Sequence, residues 1–280
     1  MEHVTDILTY ILALFRYEPV STSIVKFGDY AFGDGSFNVI AGPCSIESEK
    51  QLLSTSEFIL KHGAMGLRGG TYKLRTQPDA FQGLGSESFK YIKEAKKQFN
   101  LPFVTEVTDP RQISDLYEIC DMFQVGARNM HNYALLKELG QIDKPVLLKR
   151  GFAGLIKEWL YAADYVRIEG NDNVILCERG IRTFETATRN TFDINAVAYI
   201  KKHSGLPIIA DSSHATGDCD LVKPIALAAL AAGADGLIVE VHPNPEEAKS
   251  DKDQALTFSQ FESLMLDVDK LCKALDRKQG

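Results

Sequence analysis

Residues 38–69, NVIAGPCSIESEKQLLSTSEFILKHGAMGLRG, hold the repeating unit of this chain. An apolar run, NVIAGP, leads through a polar loop into the helical pattern SEKQLLSTSEFILKHG. That pattern stops at Gly63, and a second apolar run, AMGLRG, ends in an arginine. Nearly unbroken apolar runs suit strands buried on both faces, and a helical crossover between two of them implies that they run parallel. The unit recurs. Similar runs begin near residues 38, 64, 102, 122, 145, 174, 207 and 236: NVIAGP, AMGLRG, PFVTEV, MFQVGA, PVLLKR, VILCER, PIIADS and GLIVEV. Helical patterns such as SESFKYIKEAKKQF, RQISDLYEIC and VKPIALAALAAG separate them.

The punctuation agrees. Asp109-Pro110 offers an N-cap and a first-turn proline, while Gly63, Gly140, Gly205 and Gly233 fall where helices should end. Pro102, Pro145 and Pro207 open strands, where a missing N–H is tolerated. Eight strand-helix units in this length predict a single (β/α)8 TIM barrel, a fold of usually ~250 residues. An open doubly wound sheet would carry a glycine-rich dinucleotide fingerprint after its first strand, and none is present.

The barrel is expected over residues 37–280. Residues 1–36 form an extension too short for its own core. Within it, ILTYILALF (Ile7 to Phe15) reads as a short helix. The segment IVKFGDYAFGDGSF reads as a β-hairpin turning on Gly33-Asp34-Gly35, placed over the N-terminal mouth of the barrel. A secretion signal is not expected: Glu2 and Asp6 precede the apolar run, and Arg16-Tyr17-Glu18-Pro19 follows it.

Hydrophobic content of 45% and charged content of 25% are ordinary for a globular enzyme. The net charge of −7 argues against a nucleic-acid partner. Five scattered cysteines suggest a reducing, cytoplasmic setting, and no apolar run reaches the ~18 residues of a membrane span.

Against that acidic background, RGGTYKLRT (Arg68 to Thr76) concentrates three cations. Barrel chemistry sits where strands end, and here the ends are polar. Strand one ends in Gly42-Pro43-Cys44, strand two in Arg68 with Lys73 and Arg75, strand three in Glu106 and strand four in Arg128. Strand five ends in Lys149-Arg150, strand six in Glu178-Arg179, strand seven in Asp211 and His214, and strand eight in Glu240 and His242, with Asp251 beyond. So many cations on one rim would repel one another unless a polyanion neutralised them, so the rim reads as an anion clamp.

Cys44, His214, Glu240 and Asp251 form a second group, of mixed soft and hard donors suited to Mn²⁺, Fe²⁺, Co²⁺ or Zn²⁺. Taken alone, Cys44 reads as a small buried residue sooner than as a ligand, and His214 reads equally as a hydrogen-bonded loop histidine, so spacing leaves the metal reading open. His3, His62 and His203 read as solvated, and His131 and His242 lie near the rim without a role. Cys120, Cys177, Cys219 and Cys272 read as packing residues. No GxSxG elbow occurs.

Over roughly residues 24–265 the chain resembles the 3-deoxy-D-arabino-heptulosonate 7-phosphate (DAHP) synthases, also called phospho-2-dehydro-3-deoxyheptonate aldolases. The motifs that carry this are AGPCSIES, LRGGTYKLRTQPDAFQGLG, QVGARNMHN, LLKRG, ILCERGIRTFE, DSSHATG and GADGLIVEVHPNPEEAKSD. It is similar to the branch that shares ancestry with 3-deoxy-octulosonate 8-phosphate synthase. The resemblance implies condensation of phosphoenolpyruvate with erythrose 4-phosphate, the first step of the shikimate pathway to aromatic amino acids. It implies Cys44, His214, Glu240 and Asp251 as ligands of one divalent metal per subunit, Mn²⁺ foremost. It further implies Arg128, Lys149 and Arg179, with backbone at Gly126 and Ala127, on the phosphate of phosphoenolpyruvate. Arg68, Lys73 and Lys149 then take its carboxylate, and Arg75 and Thr76 the erythrose phosphate. Lys73 is the expected proton donor, and Glu106 the group that positions water. A homodimer or homotetramer is expected, with no membrane partner.

One position departs from the family loop Lys-Pro-Arg-Thr, since Leu74 stands where proline is usual and the loop loses a fixed φ. The octulosonate branch carries Lys-Ala-Asn-Arg-Ser instead, so KLRT sides with the four-carbon aldose. The alternatives are an octulosonate synthase using arabinose 5-phosphate and a non-catalytic barrel that binds a phosphorylated metabolite. Weak or absent feedback by aromatic amino acids is expected, because 36 residues are too few for a regulatory domain.

Overall fold

The computed structural model describes residues 22–280, so the expected helix over Ile7 to Phe15 and the expected solvation of His3 lie outside the described residues. Eight parallel strands close into a barrel: β3 (Asn38–Gly42), β4 (Gly66–Arg68), β5 (Phe103–Val107), β6 (Met122–Val125), β7 (Val146–Lys149), β8 (Val174–Glu178), β9 (Ile208–Ala210) and β10 (Gly236–Glu240). They neighbour one another in chain order, and β10 pairs with β3 to close the ring, Glu240 opposite Gly42. The eight strands fall where the apolar runs predict, within two residues. Pro102, Pro145 and Pro207 each stand one residue before a strand and lend it a carbonyl, which accepts from Leu67, Phe123 and Leu176 respectively.

The strands are buried on both faces. One side chain in two points inward, where Ile40, Val104, Met122, Leu147, Ile175, Cys177, Ile209 and Ile238 make an interior cluster. The alternate residues, such as Val39, Leu67, Phe103, Phe123, Leu148 and Leu176, pack outward against the helices. Both layers being apolar, the runs show no hydrophobic alternation.

Among the described residues the helices are α1 (Glu49–Lys61), α2 (Phe89–Phe99), α3 (Ile113–Tyr117), α4 (Tyr133–Gly140), α5 (Ile156–Ile168), α6 (Ile194–His203), α7 (Ser212–Thr216), α8 (Cys219–Ala231) and α9 (Phe258–Ala274). Local chemistry starts them: Ser48 accepts from Gln51 N at 3.1 Å ahead of α1. Asp109 caps a 3₁₀ turn at Pro110–Gln112 that leads into α3. Gly63 and Gly233 take positive φ just past α1 and α8, whereas Gly140 is the last residue of α4. Among the described residues no helix is long and apolar enough to cross a membrane.

The hairpin exists, as β1 (Val25–Phe27) and β2 (Tyr30–Phe32), but its turn is not at the expected place. Phe27 pairs with Tyr30, so the chain reverses on Gly28-Asp29, and Gly33-Asp34-Gly35 instead follow β2 on the way into β3. Val25, Phe27 and Phe32 join the interior cluster of the barrel. Phe27 sits so close to Gly66 that a Cβ there would meet the ring at 2.4 Å. The hairpin therefore plugs the N-terminal mouth and leaves the C-terminal mouth open.

Candidate active site

Inward alternation decides which rim residues enter the open mouth. Continuing two residues from the interior layer, Val104 leads to Glu106, Leu147 to Lys149, Cys177 to Arg179, Ile209 to Asp211 and Ile238 to Glu240. Arg68 alternates with outward Leu67. Above them lies a cavity of about 430 Å³, lined by Arg68, Lys73, Arg75, Thr76, Gly126, Ala127, Arg128, Lys149 and Arg179. All nine expected substrate contacts are thus on one surface. Cys44, Glu106, His214 and Asp251 share it, and fully buried Glu240 stands directly behind.

Arg150 is a correction. It faces the other side of β7, where its Nη1 donates to Glu178 Oε2 at 3.0 Å and to Asp193 Oδ2 at 2.8 Å. Arg150 and Glu178 occupy the outward register of adjacent strands and brace the barrel wall, so neither lines the cavity. Its place is taken by Arg189, which the sequence reading missed because it lies in a long loop rather than at a strand end. Phe152, also in the lining, was missed because an aromatic residue gives no anion-binding signal.

Seven cations consequently face one cavity in a chain of net charge −7: Arg68, Lys73, Arg75, Arg128, Lys149, Arg179 and Arg189. Some are neutralised internally. Lys149 donates to Asp211, Lys73 to Asp251 at 2.6 Å, and Arg189 approaches Asp251 at 3.2 Å. Arg68, only 5% exposed, approaches Glu240 Oε1 at 3.3 Å and donates to the Cys44 carbonyl at 3.3 Å. Its Nε and Nη1 nevertheless lack hydrogen-bond partners, as does Nη1 of Arg75. Buried guanidinium donors without acceptors are costly, and an anionic ligand would satisfy them.

The donor set converges. One ligand atom each from Cys44, His214, Glu240 and Asp251 lies within 4.8 Å of all the others. His214 Nε2 is 3.3 Å from Glu240 Oε1, and Cys44 Sγ is 3.1 Å from Asp251 Oδ2. Buried Glu240 Oε1 has no hydrogen-bond donor, the environment expected of an oxygen meant for a cation. His214 Nδ1 lies 2.8 Å from Asp211 Oδ2, which leaves Nε2 to face the other three donors. Gln254 donates to Glu240 Oε2 at 2.6 Å and orients that carboxylate. A thiol, an imidazole and two carboxylates so arranged fit a borderline divalent ion. Lys73 Nζ meanwhile contacts Cys44 Sγ as well as Asp251.

Burial and charge set the protonation states. Burial opposes ionisation of Asp211, but His214 and Lys149 outweigh it and hold the carboxyl well below its usual range. Burial likewise opposes the Lys73 ammonium, and Cys44, Asp251 and Glu240 overcome it and keep the amine protonated. Glu106 goes the other way: burial raises its carboxyl despite Lys149, Lys73 and Arg68 nearby. Gly126 gives Glu106 room, since a Cβ there would meet Glu106 Oε1 at 2.0 Å.

The remaining candidates are peripheral. His62 is half-buried rather than solvated, with Nδ1 2.8 Å from the Phe58 carbonyl and its ring stacked on Phe58 at 4.0 Å. His203 and His131 are exposed, and His242 is buried with Nδ1 accepting from Asn244 N at 3.1 Å. Cys120, Cys177 and Cys272 are buried, and Cys219 is partly exposed.

A closed barrel whose plugged end is apolar and whose open end joins a cation-lined cavity to a Cys-His-Glu-Asp cluster belongs among the enzymes of small, multiply anionic metabolites. Within that class the chain belongs to the DAHP synthetase I family, whose model matches residues 19–276. It is 48% identical over 269 residues to a phospho-2-dehydro-3-deoxyheptonate aldolase of Thermotoga maritima, covering 96% of this chain and 79% of that one. The crystal structure of phospho-2-dehydro-3-deoxyheptonate aldolase (DAHP synthase) from Thermotoga maritima superposes with a TM-score of 0.90 at 47% identity, covering 95% of this chain and 79% of that one. A truncated form of the synthase from the same organism gives 0.87 at 45% identity, covering 95% and 97%. A 2-dehydro-3-deoxyphosphooctonate aldolase of Francisella tularensis subsp. holarctica is 28% identical, over 89% of this chain and 98% of that one.

Proposed function

We propose that this protein condenses phosphoenolpyruvate with D-erythrose 4-phosphate to give DAHP and inorganic phosphate. The observation that carries the reading is the single cavity in which seven cations, two of them with unpartnered buried donors, adjoin the Cys44-His214-Glu240-Asp251 cluster. Two phosphorylated substrates, one also a carboxylate, supply the negative charge that such a cavity requires.

In this reading Arg128, Lys149 and Arg179, with backbone at Gly126 and Ala127, hold the phosphate of phosphoenolpyruvate. Arg68, Lys73 and Lys149 hold its carboxylate, and Arg75 and Thr76 hold the phosphate of the aldose. A divalent cation on Cys44, His214, Glu240 and Asp251, Mn²⁺ in the first instance, would supply Lewis-acid polarisation of the aldehyde. C3 of phosphoenolpyruvate forms the new bond to the aldehyde carbon, which leaves positive charge at C2. Lys73, kept protonated by its anionic neighbours, gives a proton to the former aldehyde oxygen. Water positioned by Glu106 adds to C2 and loses a proton, and the hemiketal phosphate then collapses with C–O cleavage. The raised Glu106 carboxyl suits a group that holds and passes on a proton. The five cysteines are all unpaired, which supports placing the enzyme in a reducing cytoplasm.

A phosphate-release assay tests the reading. Activity is expected with phosphoenolpyruvate and erythrose 4-phosphate, abolished by EDTA and restored by Mn²⁺. Turnover only with arabinose 5-phosphate would identify an octulosonate synthase, and borohydride trapping of a lysine imine would replace the mechanism.

A further inference from the structure

Three arginines converge on one aromatic ring. The guanidinium carbons of Arg182, Arg179 and Arg128 lie 4.7, 4.8 and 5.5 Å from the ring centroid of Phe152. The cations come from the loops after β6 and β8, and the ring comes from the loop after β7. Arg182 N also donates to the Phe152 carbonyl at 2.7 Å, which ties the two loops together. Cations within about 6 Å of an aromatic face are attracted by its quadrupole, which offsets part of their mutual repulsion.

The ring matters because these arginines lack the anchors their neighbours have. Arg68, Lys73, Lys149 and Arg189 each meet a carboxylate. Among the described residues, Arg128 and Arg179 have no carboxylate within ion-pair distance. Arg179 donates only to the His214 carbonyl at 3.1 Å and the Gly180 carbonyl at 3.4 Å, and Arg128 only to Thr76 Oγ1 at 3.5 Å. A carboxylate in this place would orient the guanidiniums but cancel the charge a phosphate needs. An aromatic face orients them and leaves the charge available.

We propose that Phe152 is a positioning residue for the phosphate of phosphoenolpyruvate, its ring holding Arg128 and Arg179 in clamp geometry. This rests on the reading that those two arginines grip that phosphate. A side chain of similar volume without a quadrupole should fill the space and fail to orient the cations.

The test compares Phe152→Leu, Phe152→Met and Phe152→Tyr with the wild-type holoenzyme, using phosphoenolpyruvate as the probe in calorimetry and in kinetics. Leu and Met are expected to weaken phosphoenolpyruvate binding and raise its KM about tenfold, the scale of one desolvated cation–π contact. The KM for erythrose 4-phosphate should stay within about twofold, and Tyr, which keeps the ring, should recover most of the loss. Unchanged phosphoenolpyruvate affinity in both aliphatic variants would overturn the proposal. So would parallel loss for both substrates, or a Tyr variant as impaired as Leu, since either would make the ring a mere filler. Arg179→Ala separates the underlying reading: if it leaves phosphoenolpyruvate affinity intact, the clamp assignment itself fails.

Discussion

Asp211→Asn is the most informative single substitution outside the donor set. Asp211 is fully buried and serves two groups: the Lys149 ammonium donates to Oδ2, and His214 Nδ1 lies 2.8 Å from the same oxygen. Its Oδ1 accepts from His214 N at 3.0 Å, a bond that asparagine retains. Removing one member of a buried charge pair costs about 3–5 kcal/mol, and the retained bond places this case near about 3. For a chain of this size that is a fall in Tm of about 6–12 °C. The sign of the pH dependence follows from the depressed carboxyl. A group whose folded pKa lies below its ordinary value of 3.8 stabilises above that value and loses the contribution as pH falls through the folded pKa. The Tm gap between wild type and variant, measured by scanning fluorimetry in EDTA, should therefore be full at pH 7 and shrink below about pH 4. Divalent-metal affinity should also drop, by about 10–100-fold, because the carboxylate orients the imidazole proposed as a ligand. A variant that melts with wild type at pH 7 and binds Mn²⁺ equally well would refute the argument.

Other outcomes follow from the same geometry. Gly126→Ala places a Cβ 2.0 Å from Glu106 Oε1 and should lower kcat on the order of a hundredfold while Tm stays near wild type, a split readable from steady-state kinetics beside a melt. Phe27→Ala empties the plugged end, so it should cost about 3–5 kcal/mol in denaturant unfolding and leave kcat/KM at 25 °C unchanged. Burial pushes the Cys120 thiol up to about 12 and the Cys177 thiol higher still, whereas Cys219 is partly exposed. Iodoacetamide at pH 8 followed by peptide mass mapping should therefore label Cys219 well before those two, and early labelling of Cys120 would contradict the placement.

The eight strands were legible because β3 to β10 are buried on both faces, which writes them as apolar runs. The cation-lined mouth was legible because a barrel gathers its strand ends, so charges distant in sequence could be assigned to one rim. Single residues were harder. Lys149 and Arg150 are adjacent cations at one strand end, and only the pleat separates them, sending one into the mouth and the other onto Glu178 and Asp193. That distinction was available in principle, since Leu147 and Lys149 share a face. Arg189 was not available: its loop has no periodicity, and its place beside Asp251 depends on a contact spanning 62 residues. The hairpin turn was misplaced for a local reason. Gly28-Asp29 and Gly33-Asp34-Gly35 are both good turn chemistry, and the choice between them is made by Phe27 and Phe32 entering the barrel together.

Anomalous diffraction from crystals soaked in Mn²⁺ and phosphoenolpyruvate tests directly whether the proposed metal site and anion clamp face the same cavity. The expected result is one manganese peak among Cys44 Sγ, His214 Nε2 and the Glu240 and Asp251 carboxylates, with the ligand phosphate bonded to Arg128, Lys149 and Arg179. Manganese elsewhere on the protein, or phosphoenolpyruvate bound away from those three cations, would contradict it.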